Sequence, residues 1–517
     1  MDNLSDLIQR LTSDDRRVQR QAGDALQALG EAAVPALIEA LRSGDAALRK
    51  PAAFLLGRSK RPEVIAALGS ALHDPEPKVR KNAAVSLSKI ASADSIQAIV
   101  EALELEDIVW VRTSLILALG AIGTPEAADA LRALPQSDNP EEAEALRKAL
   151  DRSTPRRHTL SWAAEAPTNL RFLLEVPDGL EPIARAEAAE QGITLSFGPR
   201  PGLLVCPPGF DARSILRRLR CSYALLIEAG QGEAIDFRDA ESAAAIVHDL
   251  VAQSEALRTI REWTNNNEEQ IRYRFGVYNS LHRDTLRKIL DAVRQACAPL
   301  GLVDSPSNYD LELYLESDHE SSRLFIRPSF VPDKRFDYRV RDVGGSINPV
   351  VAACLARMVF TRPGALVLDP TCGSGTLLIE RAQLDRESEI WGMDISDFAV
   401  KAARENVRAA RLTRQIEIVQ GDSANPRRWE PCDEVIANLP FGMRSRHEEQ
   451  DLLDLYRNLI ANIAENLRDD GRALIYSIHQ GLVERCLRPQ AKLLRVESHR
   501  RVFSGGLWVH IWLLVRR

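Results

Sequence analysis

The sequence predicts a multidomain protein with an all-α repeat solenoid, an α+β middle module and a doubly wound α/β domain. Three observations predict this fold class. Helical patterns repeat in the first third of the chain, strands mix with helices in the middle, and strands alternate with helices in the last third. A chain of 517 residues also needs several domains, because single hydrophobic cores stop growing near ~250–300 residues.

The first segment repeats a pair of helices. Four repeats begin at apolar residues that are 30, 31 and 32 positions apart: Val18, Leu48, Val79 and Val111. An aspartate precedes each of them in a turn: Asp14, Asp45, Asp74 and Asp107. Such repeats stack into a solenoid because no unit buries its apolar face alone. We therefore predict a helical repeat domain over residues 1–152, and its pattern resembles short HEAT repeats.

Basic residues recur near the start of the second helices of the repeats, at Arg20, Lys50 and Lys81. Two interpretations are open. The residues are either an ordinary solvated surface or a basic stripe through which the solenoid contacts a protein partner or RNA.

A linker over residues 153–169 follows the repeats, since it has two prolines, Ser, Thr and no periodicity. From Leu170 the chain mixes strands and helices. The segment "YDLELYLESDHESSRLFIRPSF" predicts a hairpin of alternating strands around a polar turn. We predict an α+β module with a connecting segment over residues 170–345.

The last third, residues 346–517, predicts a parallel, doubly wound sheet. Four strands end in polar residues at Asp369, Asp394, Asp422 and Asn438, and helices separate them. Two further strands around "SGGL" predict a hairpin that makes the last strand antiparallel. In such sheets ligands bind at the carboxyl ends of the strands.

The first of these strands leads into the loop "DPTCGSGTLLIE". It is not a phosphate-binding P-loop, because no lysine follows Gly375. A dinucleotide fingerprint requires a third glycine where the chain has Leu378, although Asp394 lies where a ribose would need an acidic residue. The sequence Asn-Leu-Pro-Phe from Asn438 distinguishes a dehydrogenase from a methyltransferase. A dehydrogenase does not need these residues at the end of the fourth strand, whereas an enzyme that methylates a base amino group uses them.

With these motifs, the last third resembles the class I S-adenosylmethionine-dependent methyltransferases, in the RNA N-methylating branch linked to THUMP modules. "FLLEVPDGLEPIARAEAAEQG" and "DKRFDYRVRDVGGSINPVVAACLARM" resemble the entry of the THUMP module and its connection to the catalytic domain. The resemblance implies a Rossmann-like methyltransferase domain over residues 346–517 and a THUMP-like, RNA-binding middle module.

The resemblance implies S-adenosylmethionine as cofactor. Asp369 would meet its amino group, Asp394 its ribose hydroxyls and Asp422 its adenine, with Ser423 beside it. Pro349 either lines this pocket or is a simple first-turn proline. The expected cofactor-binding residues are Asp369, Pro370, Cys372, Gly373, Ser374, Gly375, Thr376, Asp394, Ile395, Asp422, Ser423, Asn438 and Pro349.

The expected catalytic residues are Asn438, Leu439, Pro440 and Phe441. An exocyclic amino nitrogen is a poor nucleophile because its lone pair is delocalised into the base. The Asn438 side chain and the Leu439 carbonyl would accept hydrogen bonds from it, while Phe441 would stack on the base. Positioning then supplies most of the catalysis. The commoner family motif has proline where this chain has Leu439.

We expect the substrate atom to be guanine N2 in tRNA. The alternatives are guanine N2 or adenine N6 in rRNA, or a protein or small molecule selected by the solenoid. A scaffold without activity is disfavoured because the motif residues are intact. Three arginine-rich segments could contact phosphates: "RRLR" from Arg217, "IRPSFVPDKRFDYRVR" from Ile326 and "RSRH" from Arg444.

The composition excludes several classes of protein. The net charge of −6 argues against a surface covered with nucleic acid, but not against a local basic groove. The seven cysteines form no C-x-x-C pair, so neither disulfides nor a metal site are predicted. The sequence has no long apolar run, and its start does not resemble a signal peptide. We predict a cytoplasmic protein that does not interact with membranes.

Overall fold

The computed structural model describes residues 4–13, 15–135, 137, 139–153, 160–162, 169–209, 212–265, 270–279, 281–330, 333–441 and 446–517. They form two compact units. The first contains Met1–Thr159, Glu268–Gly276 and Cys297–Glu312, and the second contains Leu160–Asn267, Val277–Ala296 and Leu313–Arg517. Most of the predicted linker 153–169 and the turn residue Asp14 lie outside the described residues. The predicted domain boundaries therefore stay predictions.

The described part of the repeat segment is entirely helical. Its α-helices are α1 (Leu4–Arg10), α2 (Arg16–Leu29), α3 (Val34–Ser43), α4 (Ala46–Leu56), α5 (Pro62–Ala71), α6 (Pro77–Ile90), α7 (Ile96–Leu105), α8 (Val109–Ile122), α9 (Pro125–Ala133) and α10 (Pro140–Ser153). The helices stack in two rows, because α4, α6, α8 and α10 contact one another in turn, as do α3, α5, α7 and α9. This arrangement is the predicted solenoid.

Ion pairs join successive repeats at the spacing seen in the sequence. Arg49 Nε donates to Asp74 at 2.7 Å, and Arg80 Nε donates to Glu106 at 2.6 Å. One repeat further on, an arginine of α8 pairs with a glutamate of α10 in the same way. The turn aspartate Asp45 also caps α4, because it accepts from Leu48 N at 2.9 Å. The repeat in the sequence is thus a repeat of packing and of charge pairing.

The middle of the chain contains short helices and the strands of a mixed sheet. Its helices are α11 (Glu181–Glu190), α12 (Ala212–Arg218), α13 (Ala240–Ala252), α14 (Glu255–Arg258), α15 (Ile260–Trp263) and α16 (Arg283–Cys297). Its strands are β1 (Ser161–Trp162), β2 (Phe172–Glu175), β3 (Ser196–Phe197), β4 (Leu203–Val205), β5 (Ala224–Glu233), β6 (Thr264–Asn265), β7 (Ile271–Val277), β8 (Leu302–Asp304), β9 (Leu311–Ser317) and β10 (Ser321–Pro328).

In the second unit the strand order is β3-β4-β2-β5-β10-β9, so β9 and β10 are neighbours, as the hairpin pattern predicts. In the first unit β7 pairs with β8 in parallel. The α+β class of this region is as predicted, while its identity as a THUMP module stays a prediction.

The last third forms the predicted doubly wound domain. Its helices are α17 (Pro349–Val359), α18 (Thr376–Ala382), α19 (Asp397–Ala409), α20 (Arg446–Asn466) and α21 (Gln480–Leu487). Its strands are β11 (Leu366–Asp369), β12 (Glu389–Asp394), β13 (Ile416–Gln420), β14 (Cys432–Asn438), β15 (Leu467–Ser477), β16 (Leu494–Ser504) and β17 (Leu507–Arg516). Short 3-10 helices occur at Gly30–Ala33, Ala93–Ser95, Ala298–Leu300, Pro426–Arg428 and Arg488–Gln490.

The sheet order is β13-β12-β11-β14-β15-β17-β16. The strands β11 to β15 are parallel, whereas β17 is antiparallel to both β15 and β16. The predicted antiparallel hairpin is therefore present. The strand order reverses at β11 and β14, and a ligand crevice is expected beyond the carboxyl ends of those two strands.

Two further predictions concern the whole chain. All seven cysteines are buried free thiols. Among the described residues, no helix combines the length and the apolar character that a bilayer span requires.

Candidate active site

The loop "DPTCGSGTLLIE" connects β11 to α18, as its sequence predicts. Gly373 and Gly375 have φ of +52° and +77°, a region that side chains other than glycine rarely adopt. A Cβ on Gly375 would also lie 3.3 Å from the Cβ of Ala403 in α19. The loop therefore needs glycine at position 375 for backbone conformation and for close packing.

A cavity of about 790 Å³ opens at the carboxyl ends of β11 to β14. A cavity of this size suits a drug-sized or nucleoside-sized ligand. The predicted site residues that line it are Asp369, Pro370, Cys372, Gly373, Ser374, Thr376, Asp394, Ile395, Asp422, Ser423, Asn438, Leu439, Pro440 and Phe441. The fold thus brings together residues that lie more than 70 positions apart in the sequence.

Asp369 is the most deeply buried acid of the cavity, with 1% of its surface exposed. Burial, together with the smaller effect of the negative charge of Asp394, raises the pKa of its carboxyl to about 8. A hydrogen bond of 3.0 Å from Thr371 N to Oδ1 acts in the opposite direction. A carboxyl of this kind is well suited to a cationic ligand, whose charge would favour the ionised form.

Asp394 ties the end of β12 to the glycine loop. Its Oδ2 accepts from Gly373 N at 2.9 Å, and its Oδ1 accepts from Ser396 N at 2.9 Å. Each carboxylate oxygen has a second acceptor position, so the side chain can also bind hydroxyl groups in the cavity.

The loop after β13 is held from several sides. Asp422 Oδ1 accepts from Ala424 N at 2.9 Å. The Ser423 carbonyl accepts from Trp429 Nε1 at 2.8 Å and from Asn462 Nδ2 at 3.0 Å. Asp422 and Ser423 therefore present a fixed polar edge to the cavity.

Asn438 has one buried polar atom without a partner. Its Nδ2 donates to the Gly345 carbonyl at 3.3 Å, which fixes the orientation of the amide. Its Oδ1 is buried but accepts no hydrogen bond from the described residues. A buried acceptor without a donor is costly. We therefore expect a ligand to provide the missing donor.

The backbone after Asn438 is rigidly held. Tyr456 Oη donates to the Pro440 carbonyl at 3.1 Å, and His479 Nε2 lies 2.6 Å from the Phe441 carbonyl. In the described part of the chain no donor is assigned to the Leu439 carbonyl, so it is the acceptor that remains for a ligand.

Leucine at position 439 has its own structural role. Its N–H donates to the Tyr476 carbonyl at 3.0 Å, and its side chain is 1% exposed. The commoner proline would lose this hydrogen bond. The two residues are therefore not interchangeable here, although both provide the same carbonyl.

The segment before α17 also lines the cavity, and the sequence does not identify it as part of the site. Its lining residues are Val343, Gly344, Gly345, Ser346 and Ile347. Ser346 Oγ donates to Ser374 Oγ at 2.9 Å, and Asn406 Nδ2 donates to the Ser374 carbonyl at 2.9 Å. The paired glycines in "VGGSIN" are the one sequence signal for a close approach of this backbone.

Two predicted residues do not line the cavity, and one predicted segment is described only in part. Pro349 occupies the first position of α17, where Asn348 caps the helix, and Gly375 supports the loop from behind. Residues 442–445 lie outside the described residues, so the segment "RSRH" is described only from Arg446, where α20 begins, and its contact with a substrate stays a prediction.

Two arginines predicted to contact phosphates are engaged within the protein. Arg220 Nε donates to Glu380 at 2.7 Å, and Tyr338 Oη donates to the same carboxylate at 2.6 Å. The side chain of Arg335 is 3% exposed and pairs with Asp333. The buried Arg335 is not available to a phosphate, whereas RNA contact by the partly exposed Arg220 stays a prediction. Glu380, at the end of the glycine-loop motif, joins α18 to these preceding segments.

Comparisons with known proteins agree with this geometry. Residues 337–510 match the family model described as RMKL-like, methyltransferase domain, and residues 4–75, 34–109 and 65–151 match HEAT repeats. Both matches confirm the predicted classes. A methyltransferase domain also implies S-adenosylmethionine as its cofactor, as predicted.

Individual relatives match the last third. The tRNA (guanine(6)-N2)-methyltransferase of Thermus thermophilus is 32% identical over 173 residues, which are 33% of this chain and 50% of that protein. The U6 snRNA (guanine-N(2))-methyltransferase THUMPD2 of Mus musculus is 34% identical over 99 residues, which are 19% of each chain. The chain thus spans half or less of the length of these relatives.

A solved structure extends the similarity of fold beyond that domain. The crystal structure of TrmN from Thermus thermophilus superposes with a TM-score of 0.52 and 22% identity, over 68% of this chain and 100% of that one. At this identity the likeness concerns the fold. The chain therefore carries HEAT repeats within residues 4–151 and a domain of the RMKL-like methyltransferase family over residues 337–510.

Proposed function

We propose that this protein is an S-adenosylmethionine-dependent RNA methyltransferase that modifies the exocyclic N2 amino group of guanine in tRNA. The observation that carries the proposal is the buried Oδ1 of Asn438, which accepts no hydrogen bond from the residues that the structure describes, as is also true of the carbonyl of the adjacent Leu439. Two acceptors on adjacent residues that line the cavity would suit an amino group with two hydrogens.

The residues present fit S-adenosylmethionine. The buried Asp369 suits the ammonium group of the methionine part, because no cation among the described residues pairs with it. Asp394 has acceptor positions for ribose hydroxyls, and Asp422 with Ser423 lies where the adenine is expected. The left-handed Gly373 brings no side chain into the cavity, so a ligand can approach the backbone there. When bound, the cofactor supplies an electrophilic methyl group.

The protein's contribution is to orient the amino nitrogen. Asn438 Oδ1 and the Leu439 carbonyl each accept one of its hydrogens, which favours a pyramidal nitrogen whose lone pair points into the cavity. Tyr456 and His479 fix the backbone that follows, so the two acceptors need little reorganisation. The half-buried Phe441 offers a ring face to the base. The target base has to leave any helix to reach this site.

Guanine in tRNA is the proposed substrate because one relative is named a tRNA guanine-N2 methyltransferase and another a U6 snRNA guanine-N2 methyltransferase. Mass spectrometry of nucleosides from a deletion strain tests the proposal. Loss of N2-methylguanosine from tRNA is expected. Loss of N6-methyladenosine, or unchanged RNA with an undermethylated protein, would contradict it. A cytoplasmic location and RNA binding by the THUMP-like module over residues 170–345 belong to the same proposal.

Asp369 should make cofactor binding depend on pH. Its pKa of about 8 means that the free protein holds a proton there at neutral pH. Binding of an ammonium group needs the carboxylate, so the affinity should rise by up to about tenfold per pH unit between about pH 6 and 7.5. Calorimetry with S-adenosylhomocysteine in two buffers of different ionisation enthalpy should detect about one released proton. Asp369→Asn should abolish the proton release, whereas a flat affinity in the unsubstituted protein would refute this role of Asp369.

The solenoid is proposed to contact the same RNA. The helices α4, α6 and α8 contain no Asp or Glu, whereas each of α3, α5, α7 and α9 contains at least one. Lys50, Lys81 and Lys89 are exposed on the first row, and Lys89 Nζ lies 4.0 Å from the ring centre of Phe54. The surface of α4, α6 and α8, with its cations, exposed rings and no carboxylates, fits a polyanion, whereas α10 at the end of this row carries four carboxylates.

The double variant Lys50→Glu, Lys81→Glu should weaken binding of an unmodified tRNA transcript by about tenfold. It should also reduce the slope of log affinity against log salt by about 1.4, because two phosphate contacts are lost. Fluorescence anisotropy with the full chain measures both values. The matched control is Arg42→Glu, Arg132→Glu, which makes the same charge change on α3 and α9. If both double variants changed the RNA affinity and the salt slope equally, a specific basic surface on the first row of helices would be excluded.

A further inference from the structure

The hairpin β16–β17 extends beyond the edge of the sheet at which the active site opens. In the register of the last strands, Ser477 at the end of β15 pairs with His510, and Trp508 pairs with Phe503. With a rise of about 3.3 Å per residue, Trp508 therefore lies about 7 Å beyond the end of β15. The turn at Gly505 and Gly506 lies further out still.

The protruding part of this hairpin exposes aromatic rings together with cations. Trp508 is 45% exposed and Phe503 is 40% exposed, with ring centres 5.3 Å apart. The guanidinium of Arg501 lies 4.1 Å from the ring centre of Trp508. We call Arg501, Phe503 and Trp508 the hairpin platform. Exposed large rings in a cluster are uncommon on a protein surface and mark interaction sites.

Stacked rings continue from the platform toward the core. His499 stacks on Trp512 with ring centres 4.8 Å apart and on His510 at 5.1 Å. Trp512 is 2% exposed and anchors this stack. The exposed rings therefore sit on a rigid support, which reduces the entropy lost when they bind a flat ligand.

The platform is not needed to hold the hairpin together. Val502 and Val509 form a buried cross-strand pair on the opposite face. A Cβ on Gly179 would lie 2.7 Å from the Arg501 carbonyl, so the neighbouring segment packs tightly against the backbone of β16. The position of the hairpin is thus fixed by other contacts, while the rings stay exposed.

The platform lies close to the proposed catalytic residues. Asn438 pairs with Tyr476 in β15, and Tyr476 pairs with Ile511 in β17. Adjacent strands are about 4.8 Å apart, so β17 runs about 10 Å from β14. An RNA that approaches the cavity along the side of β15 and β17 would bring a nucleotide next to its target base within reach of Trp508.

We propose that the hairpin platform binds a nucleotide that flanks the target, with Trp508 and Phe503 stacking on its base and Arg501 meeting a phosphate. The proposal rests on the RNA methyltransferase function proposed above. Charge favours RNA over a protein partner, because β16 and β17 contain four arginines, two histidines and a single carboxylate, Glu497. Aromatic stacking with neighbouring cations is how many proteins hold unpaired nucleotides.

The test measures the affinity of the full chain for an unmodified tRNA transcript by fluorescence anisotropy. Trp508→Ala should weaken binding by about tenfold or more, the scale of one lost base stack, and Trp508→Tyr should retain most of the affinity. Arg501→Ala should reduce the salt slope by about 0.7. Leu507→Ala is the matched control, because Leu507 is 42% exposed beside the platform but has no ring.

Calorimetry with S-adenosylhomocysteine shows whether each variant is folded, since the platform is outside the cofactor cavity. Tenfold weaker RNA binding by Trp508→Ala, with normal cofactor binding, supports the platform even if no methylated guanine is found. If N2-methylguanosine is confirmed but Trp508→Ala binds RNA as tightly as Leu507→Ala does, the platform is refuted and the proposed function stands. If Trp508→Tyr loses as much RNA affinity as Trp508→Ala does, stacking on a base is also refuted.

Discussion

Replacement of Asn438 by alanine should slow methyl transfer in a single turnover by about 10²-fold or more, the usual effect of removing one preorganised polar contact from a transition state. The structure gives the reason. Asn438 Oδ1 is a buried acceptor to which none of the described residues donates, and Nδ2 donates to the Gly345 carbonyl. Its role is to orient the substrate amino group, so the cofactor affinity should change by less than about tenfold, or ~1.4 kcal/mol.

The measurement uses rapid mixing with an RNA identified by nucleoside mass spectrometry, together with calorimetry for the cofactor. Asn425→Ala is a suitable control, because its amide caps the helix at Pro426–Arg428 and does not line the cavity. Near-normal transfer by Asn438→Ala would show that the substrate atom is not a base amino group held at this site.

The features that the sequence predicts are those encoded by contiguous residues. Strand, turn and helix follow one another around Gly373 and Gly375, and a polar residue ends each of the four strands that line the cavity. In a parallel sheet such ends meet at one edge by geometry. The residues of the cavity could therefore be selected before their distances were known.

Other features depend on partners far apart in the chain, and the sequence does not reveal them. Arg220 looks like a surface cation within "RRLR", yet it pairs with Glu380, 160 positions away. The segment 343–347 lines the cavity without a charged or aromatic residue to mark it. The orientation of Asn438 also depends on Gly345, 93 positions earlier. A charge or a glycine in a sequence does not specify which distant group it will meet.

The role proposed for Asp394 leads to a second large effect. Asp394→Ala should weaken binding of S-adenosylhomocysteine by about 1.5–3 kcal/mol, the scale of lost hydrogen bonds to a charged group. Its carboxylate accepts from Gly373 N and from Ser396 N, so the variant also releases the glycine loop from the end of β12. A loss of affinity alone would not separate these two causes.

Calorimetry with the 2′-deoxyribose analogue of S-adenosylhomocysteine separates them. If Asp394 binds the ribose, the unsubstituted protein should prefer S-adenosylhomocysteine over the analogue, and Asp394→Ala should lose this preference, since a double-mutant cycle isolates the contact itself. Asp397→Ala is the control, because Asp397 is an exposed carboxylate three positions away that pairs with Lys401. An unchanged preference in Asp394→Ala would place the ribose elsewhere and leave Asp394 as a support of the glycine loop. The reason is that the losses of binding free energy on removing the hydroxyl and on removing the carboxylate are non-additive only if the two groups are in direct contact.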